Sequence, residues 1–253
     1  MELLKVAKKL IVKQQNQARL QNESQQESSL LEQNREMVAA RYLTGEGIEI
    51  GALYNPLKVP ASAKVKYVDR LSVEDLRKQY QELNAVELVE VDIIDNGELL
   101  ETIPDKSQDF VIANHFIEHC QDPIRAIANI LRVLKNGGIL YLAVPDKRYS
   151  FDRDRPVTTI DHLLRDYQEG PALSKKQHFE EWVRLVNKVE DENQAQWQIN
   201  ELLKIDYSIH YHVWTQAEFL EFILFVREKI TREFEVEMCL KNDTEFITIL
   251  RKH

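Results

Sequence analysis

Between residues 44 and 146, hydrophobic residues fall into short runs separated by amphipathic stretches. That pattern predicts strands and helices alternating around a parallel sheet. The predicted strands are 47–51 (Gly-Ile-Glu-Ile-Gly), 65–69 (Val-Lys-Tyr-Val-Asp), 87–92 (Glu-Leu-Val-Glu-Val-Asp), 109–113 (Asp-Phe-Val-Ile-Ala) and 138–144 (Gly-Ile-Leu-Tyr-Leu-Ala-Val). Helices are predicted at 73–83 and 122–135. Asp122-Pro123 opens the second with an N-cap and an early proline, and Asn136-Gly137-Gly138 closes it. Near the other end, residues 233–240 alternate strictly, Asn242-Asp243 offers a turn, and 245–250 is a further strand-like run. Two strands this close in sequence must be antiparallel, because a parallel return needs a crossover of a dozen or more residues.

The flanking regions differ in texture. In residues 1–13, Leu3, Leu4, Ala7, Leu10 and Ile11 keep helical spacing opposite lysines. We read this as an arm that packs on its own domain or on a second copy of the chain, with a membrane-surface helix as the alternative. Residues 14–36 are crowded with Gln and Asn and suit a solvated helix or linker. The resulting organisation is an N-terminal helical arm, 1–40, and one domain, 41–253. A helical insertion at about 147–230, rich in His, Trp, Tyr and Arg, interrupts that domain.

Composition narrows the function. The 253 residues carry 33 Lys plus Arg against 42 Asp plus Glu, a formal charge of −9, which disfavours broad nucleic-acid binding. The longest apolar run, Ile139 to Val144, is far shorter than the roughly 18–20 residues of a bilayer span. Cys120 and Cys239 lack metal-finger spacing, and nothing resembles a secretory leader, so the expected location is the cytoplasm.

Three of the seven glycines, Gly45, Gly47 and Gly51, surround the first predicted strand. Glycine at a strand end lets a ligand approach the backbone closely. Asp69 ends the second strand 18 residues after Gly51, near the spacing of a carboxylate that accepts from ribose hydroxyls, and Asp92 ends the third. Each has a bland alternative: a turn, a helix cap, a solvated loop. Together they fall at the carboxyl ends of successive strands, where parallel sheets bind ligands.

Gly-Ile-Glu-Ile-Gly-Ala, Tyr-Val-Asp, Val-Asp-Ile, Asp-Phe-Val-Ile-Ala-Asn-His-Phe-Ile-Glu-His-Cys-Gln-Asp-Pro and Leu-Lys-Asn-Gly-Gly-Ile-Leu-Tyr-Leu-Ala-Val-Pro-Asp, in this order over residues 44–146, resemble a class I S-adenosylmethionine-dependent methyltransferase. The resemblance implies an α/β fold with a Rossmann-like seven-stranded sheet, five parallel strands plus a C-terminal antiparallel hairpin. It implies S-adenosylmethionine as cofactor, with Glu49 and Gly51 near its amino-acid portion, Asp69 at the ribose, Asp92 with Ile93 at the adenine, and Asn114 with His115 beside the sulfonium. Leu53 and Asn55 stand where the family usually has further glycines. A nicotinamide-dependent oxidoreductase is the rival reading. Its pyrophosphate needs the full Gly-x-Gly-x-x-Gly turn, which this chain lacks. A binding or scaffold protein that keeps the fold without turnover is the other alternative.

His115-Phe116-Ile117-Glu118-His119 is formally an inverted zincin motif, but it follows a strand directly and leads into a helix, the wrong context for a protease. It also resembles the Glu-x-x-Glu-His of metal-assisted O-methyltransferases, with His210 or His212 as a distant ligand. A divalent metal is therefore an option, though not the expected one. The simpler chemistry needs only a base, and the candidates are His115, His119, His210 and His212. His210 and His212 alternate, so on an extended segment both point the same way. Arg153, Arg155 and Arg165 could bind an anionic acceptor or pair with neighbouring aspartates. The expected activity is O-methylation of a small-molecule or glycan-type acceptor.

Overall fold

The computed structural model describes residues 30–253. The arm expected at 1–13, its pairing with a second copy and residues 14–29 of the Gln-rich stretch lie outside the described residues. The chain forms one sheet from β1 (Gly45–Ile50), β2 (Ala63–Asp69), β3 (Ile93–Ile94), β4 (Gln108–Asn114), β5 (Leu134–Pro145), β6 (Phe234–Asn242) and β7 (Glu245–Lys252), in the order 3-2-1-4-5-7-6. β1 to β5 pair in parallel, while β7 is antiparallel to both β5 and β6. Only β7 is therefore reversed. This is the expected Rossmann-like architecture with its C-terminal hairpin.

The unbroken run Ile139 to Val144 is buried throughout, as a central strand covered on both faces must be. One face is covered by helix α1, residues 30–42, whose buried positions 35, 38 and 39 fall on a single stripe. Val38, Ala39 and Leu43 pack there on Phe110, Ile112, Tyr141, Ile247 and Ile249. Residues 30–36 of the stretch expected to be solvated thus belong to a docked helix. On the other face lie α3 (Pro123–Val133) and α7 (Gln216–Phe225), which bury Ile124, Ile127, Ile130, Phe219 and Phe222 against Val111, Leu140 and Leu142. Asp122 caps α3 by accepting from Arg125 N (2.9 Å), with Pro123 in its first turn. The helix stops at Leu134, ahead of the two glycines, because Leu134 is drawn into pairing with Gln108 of β4.

The third strand also departs from expectation. Residues 87–92 approach the sheet, but pairing begins at Ile93, opposite Val68. Asp92 N donates to Tyr67 O and the Asp92 carboxylate accepts from Tyr67 N (2.8 Å), so a side chain supplies the acceptor that strand backbone would otherwise provide.

Between β5 and α7 lie α4 (Ile160–Glu169), α5 (Lys175–Glu181) and α6 (Glu192–Lys204). Phe179, Val183, Ala195, Ile199, Ile209 and Tyr211 give this lobe its own small core. Residues 216–230, expected within the insertion, instead begin α7 and pack with the sheet. Among the described residues, no helix is long and apolar enough to cross a membrane.

Candidate active site

The chain leaves β1 toward β2 and β3, then returns past β1 to β4. The loops after β1 and β4 therefore diverge, and such a switch point opens a crevice at the carboxyl edge of a sheet. Here it is a cavity of about 410 Å³, lined by Gly51, Asp69, Asn96, Gly97, His115, Phe116 and His119 among others. Pockets for small ligands commonly span about 300–1,000 Å³.

Gly51 sits at φ +66° with open space where a Cβ would project, so the chain can turn away from the sheet and leave its backbone uncovered. Leu53 also adopts a left-handed conformation (φ +52°), and its side chain joins the cluster of Leu76 on helix α2 (Val73–Gln79), Leu83 and Leu88. That apolar contact offsets a backbone cost of roughly 1–2 kcal/mol. Asp69 is half-buried in the wall and accepts one long bond from Leu71 N (3.4 Å), so its remaining acceptor capacity faces the cavity. Burial raises its pKa, against the pull of the neighbouring backbone amides and Arg70. Gly97 is required by close approach: a Cβ there would lie 2.6 Å from Ile50 and 2.8 Å from Phe116. Glu98 then accepts from Gln121 N (3.0 Å) and Asp122 N (3.1 Å), tying the β3 loop to the loop after β4.

His115 follows β4 in a left-handed conformation (φ +47°), a strained state that persists only where the surroundings hold it. Its Nε2 lies 2.8 Å from Glu245, and the same carboxylate accepts from Arg35 Nε (2.8 Å) and Nη2 (2.5 Å) and from Asn242 Nδ2 (2.7 Å). Burial alone would raise Glu245, but the His115 and Arg35 hydrogen bonds bring it down to about 2. It is an anion, so His115 Nε2–H donates, and when the ring is neutral Nδ1 is the nitrogen that carries the lone pair. Burial pulls the His115 pKa down, and the Glu245 hydrogen bond with the Glu118 and Glu245 charges overrides it, leaving the net shift upward. The Glu118 carboxylate lies 3.8 Å from His115 Nδ1, and burial raises its pKa.

His119 also lines the cavity. Its Nδ1 faces Ile209 O (2.9 Å) and Ser208 Oγ (3.0 Å), and burial together with His210 lowers its pKa to about 3, so it is neutral. His210 and His212 do not line the cavity, and the shared direction expected of them is not realised as a shared site. His210 Nδ1 bonds Asp152 (2.7 Å), close to Glu118 and His119, whereas His212 joins His162, Asp166 and His178.

The remaining candidates are dispersed. Glu49 is buried beneath the first loop, accepting from Leu57 N through both oxygens (3.0 and 3.1 Å), and burial lifts its pKa to about 7. Asp92 and Ile93 are engaged with β2, and Asn96 supplies the polar group on the cavity wall at that strand tip. Asn114 is half-buried, and its side-chain amide is enclosed without a hydrogen-bond partner among the described residues. Arg155 is an internal clamp, donating to Glu181, Asp152, His210 O and Tyr211 O, while Arg153 and Arg165 are exposed and away from the cavity.

Sequence reasoning assigned no chemistry before residue 40 and so missed Arg35, and it read Glu245 only as the start of a strand. It also missed the roof, where Asp206, Tyr207, Ser208 and Tyr211 of the inserted lobe close over the cavity. Gln79 Nε2 bonds Ile205 O (3.3 Å) and Arg70 pairs with Asp206 (3.7 Å) across that seam. Gly97 was detectable in principle, as a lone glycine just after the third predicted strand.

The residues present fit an adenosyl ligand: an acidic acceptor at the tip of β2, open backbone at Gly51, a polar group at Asn96 and apolar surface from Leu53, Leu76 and Phe116. Comparison with known proteins agrees with this reading in one respect. Residues 45–142 match the family model described as a methyltransferase domain. No curated protein sequence matches the chain. Similar solved structures include a methyltransferase of Aquifex aeolicus (11% identity, TM-score 0.45, covering 84% of this chain and 85% of that one) and one of Methanosarcina mazei (18%, 0.43, 84% and 95%). A third, from Thermotoga maritima, is described as a possible histamine N-methyltransferase (16%, 0.46, 93% and 97%).

Proposed function

We propose that the protein is a class I S-adenosylmethionine-dependent methyltransferase that methylates a hydroxyl of a small-molecule or glycan-type acceptor admitted beneath the inserted lobe; the match of residues 45–142 to the model described as a methyltransferase domain supports the methyl-transfer part of this reading. The observation that carries this reading is His115: a strained, anion-backed imidazole on the wall of the cavity at the carboxyl edge of the sheet.

S-adenosylmethionine, when bound, supplies an electrophilic methyl group, and S-adenosylhomocysteine is its product. Asp69 accepts hydrogen bonds from the ribose hydroxyls, Gly51 leaves backbone uncovered for the ligand, and Asn96 serves the adenine end in place of Asp92. Glu245, fixed by Arg35, holds the Nε2–H of His115, so Nδ1 takes the proton of the attacking hydroxyl, as an oriented histidine base does. Neutral His119 and the hydroxyls of Tyr207, Ser208 and Tyr211 offer an acceptor the mixed donors and acceptors that a sugar-like molecule demands. Most of the rate would come from alignment rather than from the base, whose share is about 10²–10⁴. The two cysteines, both unpaired, suit a reducing cytoplasm.

A radiolabelled methyl donor incubated with extracted glycans and metabolites, with and without chelator, tests the reading. We expect label in a hydroxylated acceptor, strongly reduced in His115→Ala at unchanged cofactor affinity. Label found on nitrogen or carbon would overturn the hydroxyl assignment. Cofactor binding without transfer to any acceptor would favour the binding-protein alternative.

A further inference from the structure

Four side chains of the inserted lobe converge away from the cavity. His162 and Asp166 stand one turn apart on α4 and so share a face, His178 comes from α5, and His212 from the extended segment 209–214. One ligand atom from each lies within 4.8 Å of all the others. His162 Nε2 is 3.0 Å from His178 Nε2 and 3.1 Å from Asp166 Oδ2, which is 3.9 Å from His178 Nε2. Ligands about 2.0–2.1 Å from a tetrahedral zinc stand roughly 3.3 Å from one another, so these separations bracket that geometry.

We propose that His162, Asp166, His178 and His212 form a zinc site. A hydrogen bond between the two facing imidazoles is the plainer explanation, but among the described residues it leaves buried His212 Nδ1 without a hydrogen-bond partner and buried Asp166 Oδ2 with only the approach of His162 Nε2, itself turned to His178. A cation satisfies both. The supporting contacts fit as well. Asp166 Oδ1 accepts from Ser174 Oγ (2.7 Å), leaving Oδ2 for the ion, and His212 Nε2 faces Gln121 O (3.5 Å), leaving Nδ1 as the ligating nitrogen. Three imidazoles and a carboxylate suit zinc over calcium or magnesium, and four protein ligands in a buried set mark a structural site with no place for substrate. The ion would staple α4 and α5 to the segment that carries Tyr211 into the cavity roof, and would back onto Gln121 in the cavity wall. The Glu118, His119 and His210 group, where both Glu118 oxygens likewise lack a hydrogen-bond partner among the described residues, is the competing location; it offers three ligands rather than four, and its His119 and His210 Nδ1 atoms already face Ile209 O, Ser208 and Asp152.

The proposal does not depend on methyl transfer, and its test needs no activity. Purified full-length protein should hold one zinc per chain by elemental mass spectrometry. After removal of zinc, cobalt(II) should give the visible bands of a tetrahedral site. His162→Ala and Asp166→Asn should each weaken cobalt binding at least tenfold, whereas Glu118→Gln should leave it unchanged. Zinc should raise the melting temperature of the wild type and not that of Asp166→Asn. If a variant fails to fold, the wild-type stoichiometry and the Glu118→Gln control still decide the matter. Folded wild-type protein with neither zinc nor cobalt bands, binding that survives both cluster variants, or binding lost in Glu118→Gln would each overturn the assignment.

Discussion

His115 carries the proposed base chemistry, and its neighbours set how it titrates. Burial opposes its protonated form, as to a smaller degree does Arg35 on α1, but Glu245 on β7 and Glu118 after β4 favour it, and the outcome is a pKa above the ordinary value of about 6.5. A base must be deprotonated to act, so the rate of transfer is expected to climb with pH through an inflection above 6.5 and to level off beyond it. Glu245→Gln should move that inflection downward, which a pH profile of turnover measures; an unmoved inflection would assign it to another group. The same substitution leaves the buried guanidinium of Arg35 without its anion, and we expect a loss of about 3–5 kcal/mol in denaturant unfolding. None of this trio was legible as a trio: Glu245 lies 210 residues from Arg35 and 130 from His115, and only the fold brings them together.

At the scale of elements, much could be read from pattern. The strands at β1, β2 and β4, the terminal hairpin and the capped start of α3 all follow from local alternation, glycine and proline, which act over a few residues. The third strand shifted because alternation reports which face is buried and says nothing about where pairing begins; the Asp92 carboxylate took up the Tyr67 amide and delayed it. Asp92, expected at the adenine, has one carboxylate oxygen engaged by that amide. The loop that follows should depend on Gly97, since an added methyl group must displace Ile50 or Phe116. Gly97→Ala is expected to cost about 1–3 kcal/mol of stability and to weaken cofactor affinity as the wall shifts. Thermal unfolding and calorimetry would show both, and an unchanged affinity would mean the wall is not shaped by that contact.

For the molecule as a whole, helix α1 and strand β7 are joined by Arg35 and Glu245 beneath His115, so a buried ion pair and the proposed base share a centre. Glu245 has a folded pKa of about 2, below an ordinary carboxylate, so its contribution is present above about pH 4.5 and is lost as pH falls toward 2. His115 acts in the opposite direction, its contribution being complete below about 6.5 and fading as pH rises through its higher folded value. Stability of the wild type should therefore fall more steeply with acid than that of Glu245→Gln, which chemical denaturation at stepped pH can resolve. The inserted lobe lies over the cavity, and its seam, Arg70 with Asp206 and Gln79 with Ile205, was not legible in the sequence, because such contacts depend on how two separately packed cores meet.

The central claim is that an adenosyl ligand sits at the carboxyl edge with its ribose on Asp69. Calorimetric titration of the full chain with S-adenosylhomocysteine tests it most directly, with Asp69→Ala and Asp92→Ala as paired variants. The account predicts one site per chain, at least tenfold weaker binding in Asp69→Ala (about 1.4 kcal/mol), near wild-type affinity in Asp92→Ala, and no heat with NADH. Affinity unchanged in Asp69→Ala, or binding of NADH in place of S-adenosylhomocysteine, would contradict it.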